Sequence, residues 1–254
     1  LFNPFNGALK EYPPNFPYIP KSFSGPLRSW GSYSDSLVVY DASFTRAVYP
    51  GFQNNEAMFV LWNIQEQKEI RRFYVDSIGN TKGAPKWKQD GSSVIIGIEP
   101  QKKKYDQTGI YYNVNDNLPY KGGSELFDIS RDGKVKRLTY LTTKYLADEK
   151  AFSLSPDEKK IAFWLNLKSN IADQNMSELA ILNIINGEIT NYCIELGDNA
   201  LSPIWSPDGK YLIITLDNFQ REHGVFLVSL EQKKVMKIND NPVYAKGWLI
   251  TPVD

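Results

Sequence analysis

The chain has 254 residues, of which 42% are hydrophobic and 13% aromatic, so it can bury a large core within one domain. Its 29 basic and 29 acidic side chains give a formal net charge of zero, so no overall positive field attracts nucleic acid or an acidic membrane surface. No apolar run reaches the length of a transmembrane segment.

Residues 1–26 differ in composition from the rest of the chain. Prolines separate aromatic side chains throughout this stretch, and central strands exclude proline because it cannot donate a hydrogen bond. We therefore predict an extended arm at 1–26, which either lies across the domain at 27–254 or reaches into a partner subunit. Because the chain begins with Leu1 and has no charged-then-apolar leader, we also expect a processed or trimmed protein.

A four-stranded unit recurs along the domain at 27–254. In its clearest copy, 201–239, the residues Ser206-Pro207-Asp208-Gly209 fit a type I turn between two strands, and two further apolar runs follow. The same pattern recurs at four anchor positions, which are Trp30, Trp87, Leu154 and Trp205. The residues seven and nine positions after each anchor are all apolar, as in Leu37 and Val39 of the first unit. The repeat predicts successive four-stranded antiparallel meanders.

The remaining strands follow from the same overlay. Third strands are predicted at Met58–Ile64, Glu125–Ile129, Leu179–Ile184 and Val225–Leu230, and fourth strands at Ile70–Val75, Val135–Thr139, Ile189–Ile194 and Val235–Ile238. The repeated acidic residues Asp90, Asp157 and Asp208 are interpreted as turn residues. A fifth unit is predicted with Tyr244 as its anchor, and the arm is expected to complete its outer strands.

The run Trp205-Ser206-Pro207-Asp208-Gly209-Lys210 resembles the TolB-like, WD-repeat-like repeats that also occur in propeller domains of prolyl-oligopeptidase-type peptidases. The resemblance covers roughly residues 27–250 and implies an all-β fold, a β-propeller of four-stranded antiparallel blades. We predict five blades; the six of TolB would need another unit, and none is found between Thr45 and Lys82. The resemblance also implies a periplasmic or extracellular location.

An insertion at 101–123 interrupts the second unit and is the most site-like feature of the sequence, because long loops within compact domains tend to be functional. Its basic run gives a local positive patch that can steer an acidic partner, and its tyrosines can become buried anchors. The predicted partner-binding residues are Lys102, Lys103, Lys104, Tyr105, Tyr111, Tyr112 and Tyr120. The structural alternative is a solvated charge run followed by a short hairpin.

Candidates for chemistry are few. Cys193 fits a buried hydrophobe in a fourth strand, and His223, beside Gly224, fits a polar loop on the rim. The loop Asn166–Ser177 alternates oxygen-bearing side chains but lacks the acidic, glycine-containing pattern of a calcium site. Its Asn175-Met176-Ser177 also fits a glycosylation sequon. We therefore predict no metal site and no cofactor.

No phosphate-binding loop or nucleophile elbow occurs, and the chain has a single His and a single Cys. The sequence therefore predicts a non-catalytic module that binds or scaffolds proteins, as a subunit of a larger assembly whose stoichiometry is left open. The alternative is an enzyme or enzyme fragment: either a propeller glycosidase with two carboxylates, or the gating propeller of a peptidase. A ligand in the central channel is a third reading.

Overall fold

The structure is a computed structural model that describes residues 39–43, 45–53, 56–75, 85–98, 111–112, 118–168, 177–196, 201–218, 222–239, 245 and 247–248. The regular structure over these ranges is β, apart from one turn of 3-10 helix at Leu141–Thr143. It forms four antiparallel sheets of four strands each and one two-stranded hairpin. No helix within the described ranges is long and apolar enough to cross a membrane.

Each sheet is assembled from consecutive strands. The first contains β1 (Val39–Tyr40), β2 (Arg46–Gln53), β3 (Glu56–Asn63) and β4 (Lys68–Val75). The second contains β5 (Lys86–Trp87), β6 (Ser93–Ile98), β9 (Glu125–Ser130) and β10 (Val135–Arg137). Between β6 and β9 the chain forms the separate hairpin of β7 (Tyr111–Tyr112) and β8 (Pro119–Tyr120). The third contains β11 (Leu146–Leu154), β12 (Lys160–Lys168), β13 (Ser177–Asn183) and β14 (Ile189–Leu196). The fourth contains β15 (Ile204–Trp205), β16 (Tyr211–Asn218), β17 (Glu222–Ser229) and β18 (Lys234–Asn239). The predicted meanders are confirmed in all four sheets.

The turns between first and second strands have a common hydrogen-bond pattern. In the fourth sheet the Ser206 hydroxyl donates to Asp208 Oδ1 at 2.6 Å and accepts the N–H of Tyr211 at 2.9 Å. In the third sheet Ser155 donates to Asp157 Oδ1 at the same distance. These serine hydroxyls are the main reason that the pKa values of Asp157 and Asp208 are lowered. The interpretation of the repeated aspartates as turn residues is confirmed.

The first unit begins later than its predicted anchor. With Trp30 as anchor, Val39 would follow the turn and lie in the second strand, as Ile214 does after Trp205, but Val39 lies in β1, the first strand of its sheet, so that prediction is wrong. Tyr40 pairs with Ala47, as each later anchor pairs with the residue seven positions on. The turn lacks the sequence motif because Asp41 takes the role that Ser206 has in the fourth sheet. Its Oδ1 accepts the N–H of the residue five positions on, Arg46, at 3.0 Å. Trp30 lies outside the described residues.

Indole hydrogen bonds join the first strands of neighbouring sheets at Trp87 and Trp205, and Trp248 makes a similar bond to the fourth sheet. Each runs from a Trp Nε1 to the carbonyl just before the preceding anchor, linking Trp87 to Val39 (2.9 Å), Trp205 to Ser153 (3.2 Å) and Trp248 to Ile204 (3.5 Å). Trp248 thus makes the bond to the fourth sheet that would be expected at the position of a fifth anchor. The sequence assigns this position to Tyr244, which lies outside the described residues; the hydrogen-bond register favours Trp248.

The core lies between successive sheets. Val48 and Leu61 of the first sheet pack with Val94 and Ile129 of the second. Phe152 and Phe163 of the third sheet pack with Ile95 and Leu126 of the second, and Trp164 belongs to the cluster shared with the fourth. The second and third sheets each bury one face against the previous sheet and the other against the next, so the four sheets are stacked as propeller blades are.

Candidate partner-binding surface

The meander topology separates the connections of the chain into two groups. Turns within each sheet, between first and second strands and between third and fourth strands, lie at one end of the sheets, which we call the turn end. Connections between second and third strands, and from each sheet to the next, lie at the opposite end, the loop end. The insertion at 101–123 joins β6 to β9, so it belongs to the loop end.

The structure describes part of the predicted site. Tyr111 and Tyr112 form β7 and pair with Tyr120 and Pro119 of β8, which gives the insertion the short hairpin considered from the sequence. The Tyr120 side chain is only 5% exposed, and its hydroxyl donates to the Gly123 carbonyl at 2.8 Å. The buried Tyr120 side chain thus links the hairpin to Gly123. Its role as a partner anchor stays a prediction. The other predicted residues, Lys102, Lys103, Lys104 and Tyr105, lie outside the described residues.

The returning strand of the insertion is attached to the start of the third sheet. Ser124 N–H donates to the Ala147 carbonyl at 2.9 Å, and Ala147 N–H donates to the Gly122 carbonyl at 3.2 Å. Gly123 has φ of +100°, and a Cβ there would lie 1.8 Å from the Ala147 carbonyl oxygen, so only glycine allows this approach. Lys121 N–H also donates to the Thr142 carbonyl at 2.7 Å, which ties the insertion to the 3-10 turn.

A buried ion pair fixes that 3-10 turn. The Glu125 carboxylate is fully buried and accepts from Arg137 Nη2 at 2.7 Å, from the Thr142 N–H at 2.7 Å and from the Leu141 N–H at 3.2 Å. The Arg137 guanidinium also donates through Nε to the Thr139 carbonyl at 2.8 Å. A buried charge pair is tolerated when such hydrogen bonds satisfy both groups. Loss of one partner leaves the other charge buried without a counter-charge, which is destabilising. The turn is therefore held rigidly against the second sheet.

Two exposed tyrosines flank the fixed turn. Tyr140 is 51% exposed and Tyr145 is 48% exposed. The Arg137 guanidinium carbon lies 4.5 Å from the centroid of the Tyr140 ring, a cation–π contact that orients the ring. We call Tyr140, Tyr145 and the turn between them the tyrosine platform. The sequence does not predict the platform, because its tyrosines differ from core aromatics only in their exposure and in their place beside the buried Glu125–Arg137 pair.

The other sequence candidates are placed differently. His223 lies in β17, paired with Asp217, so its prediction as a loop residue is wrong. The adjacent Gly224, with φ of +136°, does not end the strand, because a register shift follows it at Val225 and Phe226. Cys193 lies in β14, as predicted.

The loop after Asn166 has only its ends described. Asn166 and Ser177 are both buried, whereas Asp173 and Asn175 lie outside the described residues. Within the described ranges, no group of three His, Cys, Asp or Glu residues could hold a metal ion.

Three solved structures illustrate what this chain is similar to. A prolyl endopeptidase has a TM-score of 0.52 and 11% identity, over 80% of this chain and 28% of that one. A puromycin hydrolase has a TM-score of 0.51 and 12% identity, over 81% and 29%. A TolB-type protein from Agrobacterium tumefaciens has a TM-score of 0.45 and 15% identity, over 80% and 61%. The chain thus spans less than two thirds of each. No protein-family model and no curated protein matches the sequence.

At such identities a likeness establishes fold alone, and the two hydrolase structures are the ones similar enough to do so. Together with four stacked antiparallel sheets, they define the chain as a β-propeller. The resemblance to TolB-like propeller repeats is therefore confirmed at the level of the fold.

Proposed function

We propose that this chain is a non-catalytic propeller module that binds a protein partner at its loop end, as one subunit of a larger assembly. The observation that supports this most directly is the tyrosine platform: two half-exposed tyrosines on a turn that a buried ion pair holds in place. Tyrosine is enriched among the residues that dominate binding energy in protein interfaces. A preorganised base also reduces the entropy lost on binding.

The described end of the insertion is attached to the platform. Backbone bonds at Lys121 and Ser124 attach the insertion to the 3-10 turn and to β11. The basic run Lys102 to Lys104 belongs to the same insertion in the sequence. A positive patch next to aromatic anchors suits an acidic protein partner, because charge speeds the encounter and the aromatic rings contribute burial. A periplasmic or extracellular location, implied by the resemblance, is part of the proposal.

The enzyme alternative has less support among the described residues. Glu125 is fully buried and is hydrogen-bonded to Arg137 and to the 3-10 turn, so its carboxylate is not exposed to a substrate. Asp157 and Asp208 are hydrogen-bonded within their turns. A gating role would need a catalytic domain elsewhere, since this chain spans only 28% of the prolyl endopeptidase.

The test begins with co-purification of the tagged chain from its native host and identification of the partner by mass spectrometry. The affinity of that partner is then measured by calorimetry for the double variant Tyr140→Ser, Tyr145→Ser. If both tyrosines are hot spots, affinity falls at least 30-fold, corresponding to about 2 kcal/mol. The control is Ile185→Ser, which removes an exposed apolar side chain at the turn end. Equal affinities for both variants and the unmodified protein would refute the proposal.

A further inference from the structure

The outermost strand of the fourth sheet, β18, is exposed along most of its length. Val235, Met236 and Ile238 are 46%, 60% and 56% exposed, respectively. β18 stands at the edge of its sheet, after β17. Exposed apolar side chains on an edge strand are a hazard, because the backbone can pair with another chain, and soluble proteins usually avoid the combination.

Matched positions in the other sheets show that the scaffold does not require this exposure. In each sheet, the anchor and the residues paired with it form a row across the four strands. This row ends on the fourth strand at Val135 in the second sheet, Ile189 in the third and Val235 in the fourth. Val135 and Ile189 are half-buried and pack against core clusters. Val235 belongs to none of the clusters formed by the described residues.

The adjacent row gives the same contrast in residue type. The row that starts at the residue before each anchor ends on the fourth strand at a polar residue in three sheets. These residues are Arg71 in the first sheet, Lys136 in the second and Thr190 in the third. In the fourth sheet it ends in Met236. An apolar side chain thus occupies the fourth sheet where the repeat elsewhere has a polar one. Met236 belongs to none of the core clusters formed by the described residues, so its exposed side chain is free to contact a ligand outside this blade.

The charges of β18 distinguish between possible ligands. The strand contains Lys234 and Lys237 and no acidic residue, and the turn before it contains one residue of each charge, Glu231 and Lys233. A second copy pairing with β18 would bring the lysines of both copies onto one short edge, where like charges repel. An acidic strand would instead gain opposite-charge contacts across the pair.

We propose that β18 is a docking edge for an extended segment of a partner protein in which acidic and apolar residues alternate. The segment adds a strand to the fourth sheet through backbone hydrogen bonds. Because successive residues of a strand point to opposite faces, its apolar side chains cover that of Met236 on one face, and its carboxylates lie on the other face with Lys237. This surface lies on the outer edge of a blade, and the inference does not depend on the proposed role of the loop end.

The test uses three synthetic peptides in which Val alternates with Glu, Lys or Ser. Binding is followed through amide chemical shifts of the isotope-labelled protein at low and high salt. We expect the Glu peptide to shift the amides of 234–239, the Ser peptide to do so at least tenfold more weakly, and the Lys peptide to leave them unchanged. Because charge contacts at an exposed edge are screened, high salt should weaken the Glu peptide.

Variants locate the surface. Met236→Thr with Ile238→Thr should weaken the Glu peptide at least tenfold without changing the melting temperature, since both side chains are exposed. Lys136→Thr at the matched position of the second sheet, and the variant Tyr140→Ser, Tyr145→Ser at the loop end, should leave the affinity unchanged. Equal binding of the Glu and Lys peptides, shifts outside β18, or self-association through β18 in sedimentation experiments would each overturn the proposal.

Discussion

The two ends of the sheets obey different rules. At the turn end, the turns at Ser155 and Ser206 repeat the same hydroxyl-to-aspartate and amide-to-hydroxyl bonds, and Asp41 reproduces the second of these with a different residue. At the loop end, the hairpin of β7 and β8 and the 3-10 turn at Leu141–Thr143 have no counterpart among the described residues of the other sheets. Bonds that recur from blade to blade maintain the scaffold, so we look for function where the repeat is broken.

The largest expected effect tests the scaffold side of this comparison. Trp205 is buried between the third and fourth sheets and bonds to the Ser153 carbonyl. Trp205→Ala should lower the free energy of unfolding by about 3–5 kcal/mol in urea denaturation, because it removes buried area and leaves a cavity. Trp205→Phe, which keeps most of the apolar volume and loses the N–H, should cost clearly less. A loss below about 1 kcal/mol for Trp205→Ala would mean that the anchor does not join the blades.

The second effect tests whether the loop end rests on a rigid base. Arg137→Met leaves the buried Glu125 carboxylate without its cation, so the free energy of unfolding should fall by about 3–5 kcal/mol. The matched control is Lys134→Met, which breaks the exposed pair with Asp132 and should leave stability unchanged. If both variants melt like the unmodified protein, the ion pair does not hold the platform.

The third effect concerns the open side of the fourth sheet. Ala162 and Ile181 of the third sheet are buried beneath the fourth, whereas the matching Ile213 and Leu227 are only half-buried, and no described sheet covers them. If the arm at 1–26 completes a fifth blade at Trp248, deleting it should lower the melting temperature by roughly 5–10 °C, at about 2–4 °C per kcal/mol. A truncated protein that melts unchanged and stays monomeric would rule out closure by the arm.

The smallest effect tests the turn chemistry itself. The Ser206 hydroxyl is the largest cause of the lowered pKa of Asp208, so Ser206→Ala should raise that pKa toward its ordinary value. Because the folded pKa is the lower one, this carboxylate stabilises the fold above its unfolded pKa, and the contribution is lost as pH falls below about 4. NMR titration of the side-chain carboxyl measures the shift. Asp90, whose pKa is lowered mainly by the Ser92 backbone N–H, is the internal control and should not respond.

Much of the fold follows from local sequence signals. Ser-Pro-Asp-Gly and the apolar residue seven positions after each anchor act over a few residues, so they predict the turn and its flanking strands wherever they occur. The start of the first unit was predicted wrongly, because Asp41 replaces the serine acceptor there and the Pro-Asp-Gly part of the motif is absent. His223 was predicted wrongly because the adjacent Gly224 was interpreted as a sign of a loop. The bulge that accommodates Gly224 within the strand depends on contacts with β18, which the local sequence does not reveal.

The candidate site was only partly predictable for a related reason. An insertion is visible in a sequence because it interrupts a repeat, so 101–123 could be found. The platform depends on the pairing of Glu125 with Arg137 across two strands and on which tyrosines that pairing leaves exposed. Tyr120 and Tyr145 are the same residue type near the same turn, yet one is buried and the other is half-exposed. Only three-dimensional packing separates them.

Photo-crosslinking compares the two ends of the propeller most directly. A benzoylphenylalanine is introduced at Tyr145 on the loop end in one protein and at Ile185 on the turn end in another, both in the native host and at equal expression. The account predicts a specific cross-linked partner from position 145 and none from position 185. A partner cross-linked from position 185 alone would contradict the assignment of function to the loop end.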